Sequence, residues 1–258
     1  MLGDLVRMCG FWDWRLLAVA KAVAWPGAHV IEIGANTGTE TLGLADIVGP
    51  AGRVTAFEPE VTNFGALRGN VTQNGFSHVR ILALAVYDSI GMVSFRSTDE
   101  ANNSGRGYIN GDESLDHSDA EVNATTLDSL EPELGATALV TIDVEGAETA
   151  VLRGSEGFLK RHRPVLYVEA SDTQLARFGS NLGELAARLR SLGYDPYEVC
   201  RFWTRPVETI PHQREHNWLA IPIERPKLRA RVDRMLRLCA FAPRIRNFHP
   251  LLTLPPNG

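Results

Sequence analysis

Apolar residues recur along this chain with two periods, and the two periods alternate. Short aliphatic or β-branched runs predict strands, and longer segments with apolar residues three and four apart predict helices. The predicted strands lie at about 29–33, 53–57, 79–86, 92–95, 122–126, 139–143, 165–169, 197–202 and 218–223, and the helices at about 5–24, 39–48, 60–72, 147–160 and 181–192. We therefore expect an α/β fold with a mostly parallel sheet, helices on both faces, and an antiparallel edge formed by the last two strands.

Turn-forming and polar residues divide the chain further. Trp25-Pro26-Gly27 ends the first predicted helix, and residues 97–120, rich in Asn, Ser, Gly and Asp, predict a long surface excursion. Residues 102–105 within it are interpreted either as a loop that contacts a substrate or as an ordinary turn. We expect an N-terminal helical segment at 1–28, a main domain at 29–223 and a basic C-terminal extension at 224–258.

The main domain and the extension carry opposite charges. Residues 224–258 hold eight basic and two acidic residues, a net charge of +6, whereas residues 1–223 hold 18 basic and 29 acidic residues, a net charge of −11. An acidic main domain argues against nucleic-acid binding.

Apolar residues recur at helical spacing among the arginines of the extension, at Leu228, Val232, Met235 and Cys239. The pattern predicts an amphipathic basic helix. Three interpretations stay open, namely peripheral contact with an anionic membrane, docking on a second subunit in a homo-oligomer, and packing on the acidic body of the same chain.

The cysteines favour a reducing compartment. Cys9, Cys200 and Cys239 are odd in number and far apart, so they indicate neither a disulfide framework nor a C-x-x-C metal pair. Charged residues interrupt the apolar N-terminus, unlike in a signal peptide, and no stretch approaches the ~18 apolar residues of a membrane span. We expect a cytoplasmic protein, with peripheral contact at the inner face of the membrane left open.

The strongest indication of a ligand-binding site is the turn at residues 30–41, between a strand and a helix. Glu32 lies at the end of the strand, and Gly34 and Gly38 allow a backbone to approach a ligand closely at the helix N-terminus. With Asn36 between them, the glycines do not form the G-x-G-x-x-G dinucleotide fingerprint. Since a carboxylate suits an ammonium or hydroxyl group better than a pyrophosphate, the turn predicts a nucleotide-type cofactor other than a dinucleotide.

A second acid follows where a ribose would bind. Glu58 ends the next strand, in Phe57-Glu58-Pro59, and comes 26 residues after Glu32. This interval is close to the ~20 residues typical of a ribose-binding acid. Its carboxylate would accept hydrogen bonds from both ribose hydroxyls. The alternative is a loop of structural glycines followed by an ordinary acid at a strand end.

Acids also gather at the ends of two later strands. Asp143, Glu145 and Glu148 lie between a buried strand and a helix, and Glu169 ends the next strand. One of them could simply cap the helix, whose dipole favours negative charge. Ligands of open α/β sheets bind outside the carboxyl ends of strands, where these acids would face Glu32. Neighbouring carboxylates raise one another's pKa, and a group tuned in this way can take a proton from a hydroxyl.

Two further candidates concern proton transfer and metal binding. His216, before the last predicted strand, is either an alternative general base or a surface histidine. Clustered acids also suit a hard metal cation, but nothing in their spacing demands one, and we predict no metal ligands.

The ordered set of motifs resembles the FkbM family of methyltransferases. Its most specific element is Asp143-Val144-Glu145-Gly146-Ala147-Glu148, and the matching segments are 32–38, 57–59, 85–91, 126–130, 142–148, 152–154 and 163–169. The resemblance implies a Rossmann-like class I methyltransferase fold. It also implies methyl transfer from S-adenosylmethionine to a hydroxyl of a sugar, glycolipid or polyketide-type natural product, with S-adenosylhomocysteine as the other product.

Carried over by position, the resemblance assigns the parts of the site. Residues of the first motif would hold the methionine part of the cofactor, Glu58 the ribose, and Ala85 and Val86 the adenine. The predicted cofactor-binding residues are Glu32, Gly34, Ala35, Asn36, Gly38, Thr39, Glu58, Pro59, Ala85, Val86 and Asp143. The predicted catalytic residues are Asp143, Glu145, Glu169 and His216.

Two other classes of protein stay open. An NAD-dependent oxidoreductase would use a similar turn, but the third glycine of its fingerprint is missing. A non-catalytic module that binds S-adenosylmethionine would keep the cofactor pocket, but it would not need the acid cluster. The expected partner is a small-molecule or glycolipid acceptor and not a nucleic acid.

Overall fold

The computed structural model describes residues 13–97, 107–109, 120–207 and 216–241. Its strands are His29–Ile33 (β1), Arg53–Phe57 (β2), Val79–Leu82 (β3), Ala85–Val86 (β4), Gly91–Ser97 (β5), Gly107–Ile109 (β6), Ala120–Thr125 (β7), Leu139–Ile142 (β8), Val165–Ala170 (β9), Tyr194–Val199 (β10), Thr204–Pro206 (β11) and His216–Pro222 (β12). Its α-helices are Trp14–Val23 (α1), Thr39–Val48 (α2), Val61–Gln73 (α3), Leu127–Leu134 (α4), Glu148–Arg153 (α5), Glu156–His162 (α6), Asp172–Leu175 (α7), Leu182–Ser191 (α8) and Lys227–Phe241 (α9).

Eight strands form the main sheet, in the order β3-β2-β1-β8-β9-β12-β10-β11. The five strands from β3 to β9 pair in parallel, and β12 lies antiparallel between β9 and β10. The strand order reverses between β1 and β8, because the chain first winds outward on one side of β1 and then on the other. Open α/β sheets bind ligands at such a reversal, outside the carboxyl ends of the strands. The predicted α/β fold with a mostly parallel, covered sheet is confirmed.

Helices cover both faces of the central strands, which explains their continuous apolar runs. Val30 and Leu139 pack in one cluster with α1, α2 and α9, on what we call the first face. Ile31 and Ile142 pack on the second face with α4, α5, α6 and α8. Since side chains alternate along a strand, Glu32 shares the first face with Val30.

A small second sheet, in the order β4-β7-β5-β6, was not predicted. The single strand predicted at 79–86 is wrong, because β3 ends at Leu82 in the main sheet whereas Ala85–Val86 pairs with β7. β5 pairs antiparallel with β7, and β6, inside the predicted excursion at 97–120, forms an edge of this sheet. Residues 102–105 lie outside the described residues.

Two other predicted elements are wrong in their extent or position. The helix predicted at 147–160 divides into α5 and α6 at Gly154, where a Cβ would lie 1.9 Å from the carbonyl oxygen of Tyr87. The predicted antiparallel edge is present, but it consists of three strands, with β12 beside β9, β10 next and β11 outermost, so the final strand is not the outermost one. Strand order depends on pairing between distant segments, so local patterns did not reveal it.

The helices at the two ends of the described chain pack together. Asp13 caps α1 by accepting a hydrogen bond from the amide of Arg15, and residues 1–12, where the first helix was predicted to begin, lie outside the described part. On α9, Val232, Leu236 and Cys239 are buried in the same cluster as α1. No described helix combines the length and apolar character that a membrane crossing requires.

Candidate cofactor and acceptor site

The predicted acids of three neighbouring strands meet on the first face, at the carboxyl ends of the strands. Glu32 on β1 pairs with Thr141 on β8. Asp143 and Glu169 follow the paired residues at the ends of β8 and β9, and Asn217 on β12 pairs with Glu169. The register therefore places Asp143, Glu169 and Asn217 in one row at the rim, beside the reversal of strand order.

The loop between β1 and α2 has a left-handed backbone at three positions. Gly34, Asn36 and Gly38 have φ values of 87°, 51° and 89°. A Cβ on Gly34 would lie 1.8 Å from the carbonyl oxygen of Asp143, and a Cβ on Gly38 would lie 2.5 Å from a methyl group of Leu67. The missing side chain at Gly34 thus allows the loop after β8 to contact the loop after β1. From the sequence alone, we expect a close approach at Gly34 only by a ligand.

Glu32 is an almost fully buried carboxyl group. Its Oε2 accepts a hydrogen bond of 2.6 Å from the hydroxyl of Thr41 on α2. Burial raises the pKa of Glu32 to about 8, and the neighbouring acids Glu40, Asp143 and Glu58 add to the rise. A cation bound beside it would favour the ionised form and lower this pKa.

Glu58 connects two backbone segments at the end of β2. Its Oε2 accepts a hydrogen bond of 2.8 Å from the amide of Asn36, and its Oε1 accepts one of 2.9 Å from the amide of Glu60. Burial raises the pKa of Glu58 to about 7. The side chain of Asn63 also forms a hydrogen bond with this carboxylate. Since the two oxygens have about four lone pairs in all, an acceptor position remains for a hydroxyl group.

Other predicted cofactor residues form the surroundings of these acids. Ala35 is buried against Leu67, and its amide donates to the carbonyl oxygen of Phe57 at 2.9 Å. The side chain and the amide of Ala35 therefore both contact other residues of the protein. Thr39 begins α2, and Pro59 follows Glu58. Ala85 and Val86 are buried in β4, where Ala85 packs in a cluster with Ala147. Their contacts with a cofactor stay a prediction.

Asp143 and Glu169 form a pair of carboxyl groups at the rim. Asp143 is exposed, Glu169 is half-buried, and their side chains are hydrogen-bonded to each other. Glu169 Oε2 is buried and has no hydrogen-bond partner among the described residues. The pKa of Glu169 is raised mainly by burial, and the neighbouring charges of Asp143 and Glu145 raise it further. Two carboxyl groups hydrogen-bond only through a proton, so the pair holds one proton between them and can exchange it.

The other two acids of the motif after β8 have different roles. Glu148 is buried, and its Oε1 accepts hydrogen bonds from the amides of Val144 at 3.3 Å and Gly146 at 3.1 Å. Burial raises the pKa of Glu148 to about 7. Glu145 has a left-handed backbone, φ 55°, and its Oε2 accepts a hydrogen bond from the side-chain amide of Gln174. Glu148 thus holds the loop together, whereas Glu145 lies beside the rim pair.

Sequence reasoning missed several polar residues of this region. Asp13 Oδ2 accepts hydrogen bonds from the hydroxyl of Tyr167 at 2.6 Å and from the side-chain amide of Asn217 at 2.9 Å. The amide of Asp13 donates to Glu40 Oε1 at 3.3 Å, and burial raises the pKa of Glu40 to about 7. Tyr167 could have been found, because it lies two residues before Glu169 and therefore on the same face. Asp13 and Asn217 are too distant in sequence for such a signal.

The remaining candidates concern His216 and a metal. His216 is the first residue of β12, not a residue before it, and its backbone pairs with Ala170 at the carboxyl end of β9. Its side chain lies outside the part that the structure describes. Within the described ranges, no group of three or more His, Cys, Asp or Glu side chains is placed to hold a metal ion.

Three solved structures with the same type of fold are similar to this chain. The methyltransferase FkbM of Methylobacillus flagellatus is 15% identical, with a TM-score of 0.49, over 84% of this chain and 60% of that one. The S-adenosylmethionine-dependent O-methyltransferase of Thermotoga maritima is 14% identical, with a TM-score of 0.44, over 86% and 71%. Fibrillarin of Aeropyrum pernix, solved with bound S-adenosylmethionine, is 12% identical, with a TM-score of 0.45, over 84% and 73%. This chain spans 60% of the length of the Methylobacillus flagellatus protein.

The sequence itself decides the family. No curated protein matches the chain. The sequence model of the methyltransferase FkbM domain matches residues 32–196, from Glu32 on β1 to β10, and so includes the loop after β1, the Asp143–Glu148 motif and Glu169. The chain belongs to the FkbM family of S-adenosylmethionine-dependent methyltransferases.

Proposed function

We propose that this protein transfers a methyl group from S-adenosylmethionine to a hydroxyl oxygen of a sugar, glycolipid or polyketide-type natural product. The observation that carries the proposal is the hydrogen-bonded pair of Asp143 and Glu169 at the rim of the sheet, in which the carboxylate of Asp143 is exposed and so placed to accept a proton. Methyl transfer to oxygen needs a group that removes the hydroxyl proton, and a carboxylate within hydrogen-bond reach of the hydroxyl can do this.

The residues present fit the cofactor. Glu58 keeps an acceptor position for a ribose hydroxyl, and Glu32 offers a buried carboxylate to the cationic methionine part. The left-handed loop at Gly34 and Gly38 leads into the N-terminus of α2, where the backbone can approach a ligand. When bound, S-adenosylmethionine supplies a methyl group on a positively charged sulfur, which the acids of the first face complement.

The acids of the rim would have different roles towards the acceptor. Asp143 is exposed and would accept the hydroxyl proton, while Glu169, which keeps its own proton, would hold the Asp143 carboxylate in position through their hydrogen bond. Glu145, oriented by Gln174, would accept a hydrogen bond from the acceptor and fix its position. Short polar side chains in one row suit an acceptor with several hydroxyl groups.

Removal of the acids one at a time tests the assignment. We expect Asp143→Asn, Glu145→Gln and Glu169→Gln to bind S-adenosylmethionine within about threefold of the parent, but to lose turnover by about 10²-fold or more. Glu184→Gln, an exposed acid on α8, serves as the control and should leave both quantities unchanged. Calorimetric titration gives the affinity, and labelled cofactor gives the turnover. Parental turnover in all three variants would contradict the catalytic assignment.

The acceptor class needs a separate experiment. The protein is incubated with labelled S-adenosylmethionine and a panel of sugar, glycolipid and macrolide acceptors, and the products are analysed by mass spectrometry. We expect mass gain at a hydroxyl of one class. Binding of the cofactor without turnover on any acceptor would support a non-catalytic module instead, and binding of NAD in its place would favour an oxidoreductase.

A further inference from the structure

One face of α9 belongs to the core, and the opposite face is left to solvent. Val232, Leu236 and Cys239 are buried beside α1. On a helix with 3.6 residues per turn, the positions opposite them form a continuous stripe along its length. The stripe contains four cations and one apolar residue, which are exposed, namely Lys227, Arg231, Arg234, Arg237 and Leu238.

The four cations of this stripe have no structural role within the described chain. None of them forms an ion pair or a hydrogen bond with a described side chain. Arg229, on the flank of the same helix, behaves differently, because it stacks 4.7 Å from the ring centre of Tyr197 and donates to Thr204. Within the described ranges, α9 thus uses its flank for packing, while the cations of the stripe form no ion pair or side-chain hydrogen bond.

An aromatic loop is fastened to the same helix. Asp233 of α9 accepts hydrogen bonds from the amide and the hydroxyl of Thr204, at 2.7 and 2.8 Å. These bonds hold the preceding residues, Phe202 and Trp203, beside the helix. Trp203 is 52% exposed although it is one of the largest apolar side chains of the protein. The guanidinium of Arg201 lies 5.3 Å from the ring centre of Phe202 and adds a further cation.

We propose that the stripe of α9 and the Phe202–Trp203 loop together form a docking surface for an anionic lipid bilayer. The inference goes beyond methyl transfer and does not depend on it. Basic side chains are attracted to the negative surface potential of anionic lipids, and tryptophan inserts favourably at the boundary between headgroups and acyl chains. Trp203 and Leu238 supply the apolar contacts beside the cations, a combination typical of interfacial surfaces.

The charge distribution favours a lipid surface over the other anionic partners. Residues 1–223 carry a net charge of −11, so a nucleic acid long enough to extend beyond α9 would be repelled by the rest of the molecule. A bilayer contacts only the side that faces it, and the acidic body can point away. The exposed Trp203 also suits a bilayer better than a phosphate backbone or an acidic protein surface.

Sedimentation with vesicles tests the proposal on the full chain. We expect binding to vesicles of equal parts phosphatidylcholine and phosphatidylglycerol, weakened by salt, and none to phosphatidylcholine alone. Arg231→Glu combined with Arg234→Glu should lower the partition coefficient at least about tenfold. The matched control is Arg68→Glu combined with Lys160→Glu, which changes the net charge equally at exposed sites on α3 and α6. Melting temperatures of both double variants verify that they fold.

A second variant separates insertion from general attraction. Trp203→Ala should lower the partition coefficient without changing the charge, because it removes the apolar contact at the interface. Equal loss in the stripe variant and the control would show that only net charge matters and would overturn the proposal. Stronger binding to a homopolymer RNA than to the vesicles, or a dimer in sedimentation equilibrium that the stripe variant abolishes while vesicle binding persists, would overturn it as well.

Discussion

Glu58 shows how one side chain can stabilise a loop and remain able to bind a ligand. Its two oxygens hold the amides of Asn36 and Glu60, which belong to the loops after β1 and β2. The sequence predicted an acid at this point for the ribose, and the structure adds that the same acid orders the backbone around it. This double use accounts for a buried carboxyl group at this position, although burial raises the pKa of Glu58 to about 7.

Glu58→Gln should therefore weaken cofactor binding. A glutamine keeps one acceptor oxygen, so one backbone amide or one ribose hydroxyl loses its partner. We expect the dissociation constant of S-adenosylmethionine to rise about tenfold or more. Glu60→Gln is the control, because Glu60 caps α3 through the amides of Thr62 and Asn63, so a glutamine removes one acceptor from the cap of α3 and leaves both oxygens of Glu58 in place. Calorimetric titration measures both. An unchanged dissociation constant in Glu58→Gln would show that Glu58 does not bind the cofactor.

At the scale of elements, the sequence revealed most of the main sheet because its signals are local. The positions of β1, β2, β8 and β9 follow from apolar runs, and the loop with Gly34 and Gly38 follows from glycine spacing. Features that depend on distant pairing were missed, namely the break between β3 and β4, the second sheet and the place of β12. The acids Glu32, Asp143 and Glu169 end strands that are recognisable from the sequence, so they were predicted to face one another, whereas Asp13 and Asn217 are brought to them by distant pairing and were missed.

The contact between the loops after β1 and β8 should make Gly34 essential for stability. Any side chain there adopts a left-handed backbone and collides with the carbonyl oxygen of Asp143. We expect Gly34→Ala to lower the free energy of unfolding by about 2–6 kcal/mol, from backbone strain and overpacking together. Chemical denaturation with circular dichroism measures the change.

The control for Gly34→Ala is a glycine without such constraints. Gly65 lies inside α3 with ordinary helical φ, and a Cβ there meets nothing within 4 Å. Gly65→Ala should leave stability unchanged or raise it by up to about 1 kcal/mol, because alanine favours the helix. Equal effects of the two substitutions would mean that the contact with the loop after β8 does not constrain the fold.

At the scale of the whole molecule, buried acids should make stability depend on pH. Burial raises the pKa of four carboxyl groups to about 7 or 8, and these are Glu32, Glu40, Glu58 and Glu148. Between their ordinary pKa and the raised one, the folded chain keeps protons that the unfolded chain has released. The stability that they contribute is complete below about pH 4.5 and is lost as the pH rises through 7 and 8.

The melting temperature without added cofactor should therefore fall between about pH 6.5 and about pH 9. Burial lowers the pKa of His29 to about 4. The stability that His29 contributes is therefore complete above its ordinary pKa of 6.5, and His29 does not change the melting temperature between about pH 6.5 and about pH 9. Glu32→Gln mimics the protonated acid, and its melting temperature should fall less steeply with pH than that of the parent, whereas the exposed-site variant Glu184→Gln should follow the parent. Differential scanning calorimetry across the range measures all three. A parental melting temperature that stays level or rises would contradict burial of these acids in their protonated form.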